Sequence, residues 1–292
     1  MNLNVTFRNS ALNKAELFNT YEFYQFSDPS QYSIDIDWTN DHSNDIEFSS
    51  TRIANLLSAI NSNKACGPDD IHGKILKNCA ASLANPLSVI FTLAYNSGSI
   101  PRDWKVANVV PIHKKGSKDN IENYRPISLT SLVMKTFERI IKDELLHRTA
   151  NCLDGRQHGF LKDRSCTSTT NIINFVDSVV LSINDISIIS TDVVYFDFSK
   201  AFDSVNHDLI LLKLKDNYSI DGRLLKFIKT YLQGREQSVV IENCKSSGKQ
   251  LWNSLPIGIR EIIALSMFRS KLEKHLWESA MHSDDDETPQ IF

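Results

Sequence analysis

Val194-Tyr195-Phe196-Asp197-Phe198-Ser199-Lys200-Ala201-Phe202-Asp203-Ser204-Val205-Asn206-His207 is the stretch on which the reading of this 292-residue chain turns. Its front half closes a run from Ile186 to Phe198, dense in Ile, Val, Tyr and Phe without clean alternation. That pattern predicts a strand buried on both faces, at the centre of a sheet. A carboxylate at the end of such a strand is costly to desolvate unless it is hydrogen-bonded or faces a cation. Asp197 is therefore a candidate ligand for a hard divalent ion such as Mg²⁺, which prefers carboxylate oxygens. The competing reading is an exposed Asp capping the turn that follows.

Working outward, the first 49 residues are polar and lack periodicity, and read as a linker or weakly ordered arm. Ser50 or Thr51 is expected to cap a helix carrying Ile53, Leu56, Leu57 and Ile60. Gly67-Pro68-Asp69-Asp70 is a turn. A helical stretch from Ile75 follows, ending at Gly98 and Pro101, with Pro86 placed to split it. Val106 to Ile112 reads as a strand entering the basic turn His113-Lys114-Lys115-Gly116. Helices are expected over about 130–147 and 167–183, at Leu209 to Leu214 and at Leu224 to Leu232, and a strand at Gln237 to Glu242. Helices interspersed with a few strands point to α+β or α/β. After Gln250 the character changes. Ile262, Leu265, Phe268, Leu272 and Leu276 mark an amphipathic helix before an acidic tail, giving segments 1–49, 50–250 and 251–292.

With 41% apolar and 23% charged residues the composition is that of a globular protein, not of a disordered or fibrous one. No apolar run approaches the roughly 18 to 20 residues that span a bilayer, and the N-terminus lacks a signal-peptide pattern. The expectation is a soluble, intracellular protein with no membrane partner, in nucleus or cytoplasm. The five cysteines are scattered, without a Cys-x-x-Cys pair, and are expected as reduced thiols in the core. Net charge is -3, yet residues 64–164 hold 16 basic against 10 acidic side chains, so basic character concentrates where a polyanion could be held. Charge alone favours a solvated mixed surface over such a site.

The run Asp197 to His207 reads Asp-x-Ser-Lys-Ala-Phe-Asp-x-Val-x-His, and closely resembles motif A of reverse transcriptases from non-LTR, Jockey-like retrotransposons. Other blocks resemble that family in its order: Lys64-Ala65-Cys66-Gly67-Pro68-Asp69, Pro101 to Lys105, Val110 to Gly116, Asn123 to Leu129, Gln157 to Phe160 with Arg164 to Cys166, and Gly234 to Gln237. They span roughly residues 50 to 250.

The resemblance implies an α+β, helix-rich, right-hand polymerase: fingers and partial palm. It implies nucleotidyl transfer to a primer 3′-OH through two Mg²⁺ ions, with RNA template, DNA primer and deoxynucleoside triphosphates as partners. Asp197 matches the catalytic carboxylate touching both metals, with the Phe198 backbone beside it. Phe202 matches the aromatic gate against a ribose 2′-OH. Lys114 and Arg125 match the fingers cations on the triphosphate, with Lys115 as a substitute for Lys114. Lys105, Lys115 and Arg164 are expected on template or primer phosphates. Asp203 is expected to cap the helix after motif A, and His158 and His207 to pack or hydrogen-bond.

The departures are equally plain. Neither motif B, with its Pro-Gln-Gly signature, nor motif C, with Tyr-x-Asp-Asp, is found in the family's pattern, and Trp252 to Pro256 resembles the far C-terminal end of the same reading frames. The expectation is a chain lacking motifs B and C and most of the thumb, without polymerase activity. The alternatives are a non-catalytic RNA- or DNA-binding remnant and an unstable pseudogene product.

Overall fold

The computed structural model describes residues 10–20, 46–149, 169–184 and 206–251. Two compact units divide the chain: Met1–Glu144 with Lys200–Pro256, and Leu145–Ser199 with Ile257–Phe292. In the second, the described part is the end of a helix from Leu145 and helix α6.

Eight described helices carry most of the described residues: α1 (Ala11–Thr20), α2 (Ser50–Ser58), α3 (Gly73–Asn78), α4 (Ala80–Ser97), α5 (Leu132–Thr149), α6 (Thr169–Asn184), α7 (His207–Tyr218) and α8 (Gly222–Leu232). With them goes a small mixed sheet of β1 (Val106–His113), β2 (Tyr124–Thr130), β3 (Arg235–Ile241), β4 (Cys244–Lys245) and β5 (Lys249–Leu251). The order is β2-β1-β3-β4, with β5 also on β3. Strand β1 runs antiparallel to β2 and parallel to β3. A helix-rich chain with one small mixed sheet agrees with the α+β expectation.

Several local expectations shift. Ser49, not Ser50 or Thr51, caps α2, its hydroxyl accepting from the Arg52 amide. The expected break at Pro86 falls instead at Cys79, between α3 and α4. Pro86 is exposed, as is Ser82 four residues back, so the carbonyl left without an amide partner faces water and α4 continues. Gly98, with φ of 66°, ends α4 as expected. Residues 11–20 are not a loose arm: Ala15 and Phe18 of α1 are buried with Val109, Ile121 and Val239. Cys66, Cys79 and Cys244 are free thiols but none is buried, so they are not core groups as expected. The proposed central strand from Ile186 to Phe198 lies outside the described residues.

Aromatic packing supplies the main core. Phe137 of α5, fully buried, stands 4.7 Å from Phe91, 5.0 Å from Phe48, 5.1 Å from Phe227 and 6.0 Å from Trp104, ring centre to ring centre. One side chain thus joins α4, α5, α8 and the segment before α2. The Gly67 turn lies on the start of α5 so closely that a Cβ there would sit 2.5 Å from both Thr130 C and Ser131 N. Only glycine fits such an approach.

Candidate functional site

The β1–β2 hairpin is where the expected nucleotide-gripping residues stand. Its register pairs Ile112 with Arg125, and the ladder continues one step further, the Lys114 amide donating to the Asn123 carbonyl at 2.7 Å. That bond makes the pairs 114/123, 112/125 and 110/127 the hydrogen-bonded ones. Pro111 and Pro126 oppose each other in a pair that exchanges no bonds, so neither missing N–H costs this ladder anything. Side chains alternate across a strand, so Lys114 falls on the face of Ile112, with Arg125 as its diagonal neighbour in the register. Lys114, Lys115 and Arg125 are exposed, and among the described residues none enters an ion pair. Lys115 lies past the ladder, in the turn.

The other face of the hairpin is dry. Val109 packs under α1, and Phe18 meets Tyr124 edge-on at 5.0 Å. The tip is turned by Gly116, whose φ of 76° suits glycine, and anchored by Ile121, 6% exposed. Asn123 Nδ2 donates to the Ser117 carbonyl at 2.8 Å and the Tyr124 hydroxyl to the Lys118 carbonyl at 3.0 Å. The His113 ring Nε2 lies 3.0 Å from the Gly116 carbonyl oxygen. Burial, aided by the Asp119 charge, pushes the Tyr124 phenol above its ordinary value, so it remains a donor. Sequence reading quoted Asn123 and Tyr124 inside a motif but gave them no role. The spacing of polar residues around Gly116 was the available signal.

A second polar group sits inside the protein. Tyr231 donates its hydroxyl to Glu138 Oε1, and the Arg235 guanidinium lies over the Tyr231 ring, 4.9 Å from its centre. Arg235 is 2% exposed and Glu138 9%. Burial raises the Glu138 carboxyl above its ordinary value, against the pull of the Tyr231 hydrogen bond and the Arg235 charge. Burial and the Glu138 charge push the Tyr231 phenol well up. Lys105, expected on nucleic-acid phosphates, donates to the Thr230 carbonyl at 2.9 Å near the end of α8. Partial burial and the Arg235 charge lower its pKa. Lys105 is thus engaged at a helix end, where a cation is favoured, and stands apart from the hairpin cations.

Asp197, Phe198, Phe202, Arg164, Asp203 and His158 lie outside the described residues. The helix after motif A begins at His207, and its cap is Asn206, whose Oδ1 accepts from the Asp208 and Leu209 amides. Among the described residues no three His, Cys, Asp or Glu side chains cluster as metal ligands, and no helix is long and apolar enough to cross a membrane.

The family model for reverse transcriptase (RNA-dependent DNA polymerase) matches residues 112–269, more than half of the chain. The chain belongs to the reverse transcriptase family. The match takes in the hairpin tip, Arg125 and all of β3, and runs on past Leu251. Similar proteins reach further along the chain. The probable RNA-directed DNA polymerase from transposon BS of Drosophila melanogaster is 27% identical over 213 residues, 71% of this chain and 23% of that protein. The RNA-directed DNA polymerase from mobile element jockey of the same fly is 26% identical over 238 residues, 80% of this chain and 25% of that protein. The probable RNA-directed DNA polymerase from transposon X-element is 27% identical over 214 residues, 72% of the chain and 23% of that protein. This reverse transcriptase domain is therefore of the non-LTR retrotransposon kind, and the chain spans about a quarter of the length of these relatives.

Proposed function

We propose that this chain supplies the fingers and partial palm of an RNA-directed DNA polymerase, and that the β1–β2 hairpin grips the triphosphate of an incoming deoxynucleotide. The observation that carries the reading is the pair Lys114 and Arg125, exposed, without an ion-pair partner among the described residues, and diagonal on one face of a braced hairpin. Lys114 offers a point charge and Arg125 a planar fork, and together they suit adjacent phosphoryl groups. Lys115 and Arg164 would follow template or primer phosphates, and Phe202 would reject a ribose 2′-OH.

In the intact family two Mg²⁺ ions activate the primer hydroxyl and neutralise charge on the leaving pyrophosphate. Asp197 is the one carboxylate of this sequence that matches the family's metal ligands, with the Phe198 backbone beside it. One carboxylate does not hold two such ions about 4 Å apart against their repulsion. The residues present do not fit a two-metal centre. The expected result of primer extension on an RNA template with Mg²⁺ is no template-dependent product. Incorporation that vanishes in Asp197→Ala would overturn this.

Triphosphate gripping has its own test. The chain, titrated at low ionic strength with a deoxynucleoside triphosphate, should bind it, and the double variant Lys114→Ala/Arg125→Ala should lose at least tenfold in affinity. Unchanged affinity would remove the reading. The exposed cations at the hairpin tip also favour a second reading, a non-catalytic RNA- or DNA-binding remnant, with binding that weakens steeply with salt. A gel shift with primer-template RNA that is absent even at low salt excludes it. The buried aromatic cluster around Phe137 argues for a stable fold over an unstable pseudogene product, and a cooperative thermal melt is expected.

A further inference from the structure

We propose that Asn123 is the positioning residue of the triphosphate grip, an inference that rests on the hairpin reading above. Asn123 is tied to both sides of the tip at once. Its carbonyl accepts from the Lys114 amide at 2.7 Å, fixing the backbone that carries the first cation. Its own amide N–H donates to the Asn120 carbonyl at 3.1 Å, holding the 3₁₀ turn Ile121–Asn123 that leads into β2. Its side-chain Nδ2 donates to the Ser117 carbonyl at 2.8 Å, closing the loop across its mouth. Two residues further on is Arg125, the second cation.

The fit around that side chain is tight. A Cβ on Gly116 would stand 2.7 Å from Asn123 Nδ2 and 3.1 Å from its Cγ, so the carboxamide lies against the bare glycine backbone. Glycine at 116 therefore does two things: it allows the left-handed φ of 76°, and it leaves the space that Asn123 fills. The Tyr124 hydroxyl on the Lys118 carbonyl and the His113 ring beside the Gly116 carbonyl complete a tip held by side-chain-to-backbone bonds. Lys114 and Arg125 have no partner of their own among the described ion pairs, so their spacing is set by this backbone. A grip for several linked phosphoryl groups depends on that spacing. A single phosphate, which one cation can hold, does not.

The experiment titrates the full chain at low ionic strength with sodium tripolyphosphate and, separately, with orthophosphate, alongside a thermal melt. Asn123→Leu keeps the side-chain size and removes the donor. Gly116→Ala invades the same contact from the other side. Both are expected to weaken tripolyphosphate binding at least tenfold, to leave orthophosphate binding within twofold of the parent, and to keep a cooperative melt. Tripolyphosphate affinity within twofold of the parent in Asn123→Leu, with Lys114→Ala/Arg125→Ala still losing it, overturns the role of Asn123 alone. If the double variant binds like the parent, the hairpin reading falls and this inference with it. Equal loss of both anions together with a collapsed melt in both variants makes Asn123 a folding residue, and overturns the proposal as well.

Discussion

The hairpin tip and the knot of Glu138, Tyr231 and Arg235 both concentrate charge, and they hold it in opposite ways. At the tip the cations stand in water, and the hydrogen bonds go to the backbone beneath them. In the knot Glu138 and Arg235 both meet Tyr231, one through its hydroxyl and one over its ring, away from solvent. Charge that is free to meet a ligand must be positioned by groups other than its own counter-ion. Charge that is buried is turned inward, and contributes to structure.

The largest test of this contrast is Glu138→Ala. It leaves the buried Tyr231 hydroxyl without its acceptor, and a buried donor left unsatisfied costs about 1–3 kcal/mol. A melt that barely moves would mean the knot carries little of the fold. Next is pH. The folded Glu138 carboxyl is raised above its ordinary 4.5, so its contribution to stability is complete below that value and declines as pH rises through the folded one. The parent should therefore gain on Glu138→Gln as pH falls from 7 towards 5, in paired melts. A parallel pair of curves would contradict the burial argument. Arg102 offers a smaller step: it pairs with Glu236 at 3.0 Å, one residue from Arg235, but its side chain is 80% exposed. Arg102→Ala should cost under about 1 kcal/mol. Smallest of all, Lys114→Ala/Arg125→Ala should change stability by no more than about 0.5 kcal/mol while abolishing triphosphate binding.

Where local pattern and tertiary partner agree, the sequence was legible. Strand β1, the Gly98 stop of α4, and helices α5 and α8 follow from periodicity and punctuation. Strand β2 did not stand out, because Pro126 interrupts Tyr124 to Thr130. Its tolerance depends on lying in a non-bonded pair at a sheet edge, which is visible only once the register is known. Helix α1 was missed for a different reason: its partners are Val109, Ile121 and Val239, far along the chain. For the site, Lys114 and Arg125 were legible as motif residues. The proposed roles of Asn123 and Gly116 needed the shape of the loop.

Helix α1 is also closed onto Ser247: Glu16 accepts from its amide at 2.7 Å and its hydroxyl at 2.9 Å, and Asn19 Nδ2 donates to its carbonyl at 3.1 Å. The residues joined are 231 and 228 positions apart. On a ribosome adding roughly 5–20 residues per second, α1 waits on the order of ten seconds or more after its own synthesis for its clasp. The helix that braces the hairpin tip is thus fastened only once Ser247 is made, and any product terminated before Ser247 carries Lys114 and Arg125 on a hairpin whose brace is not fastened.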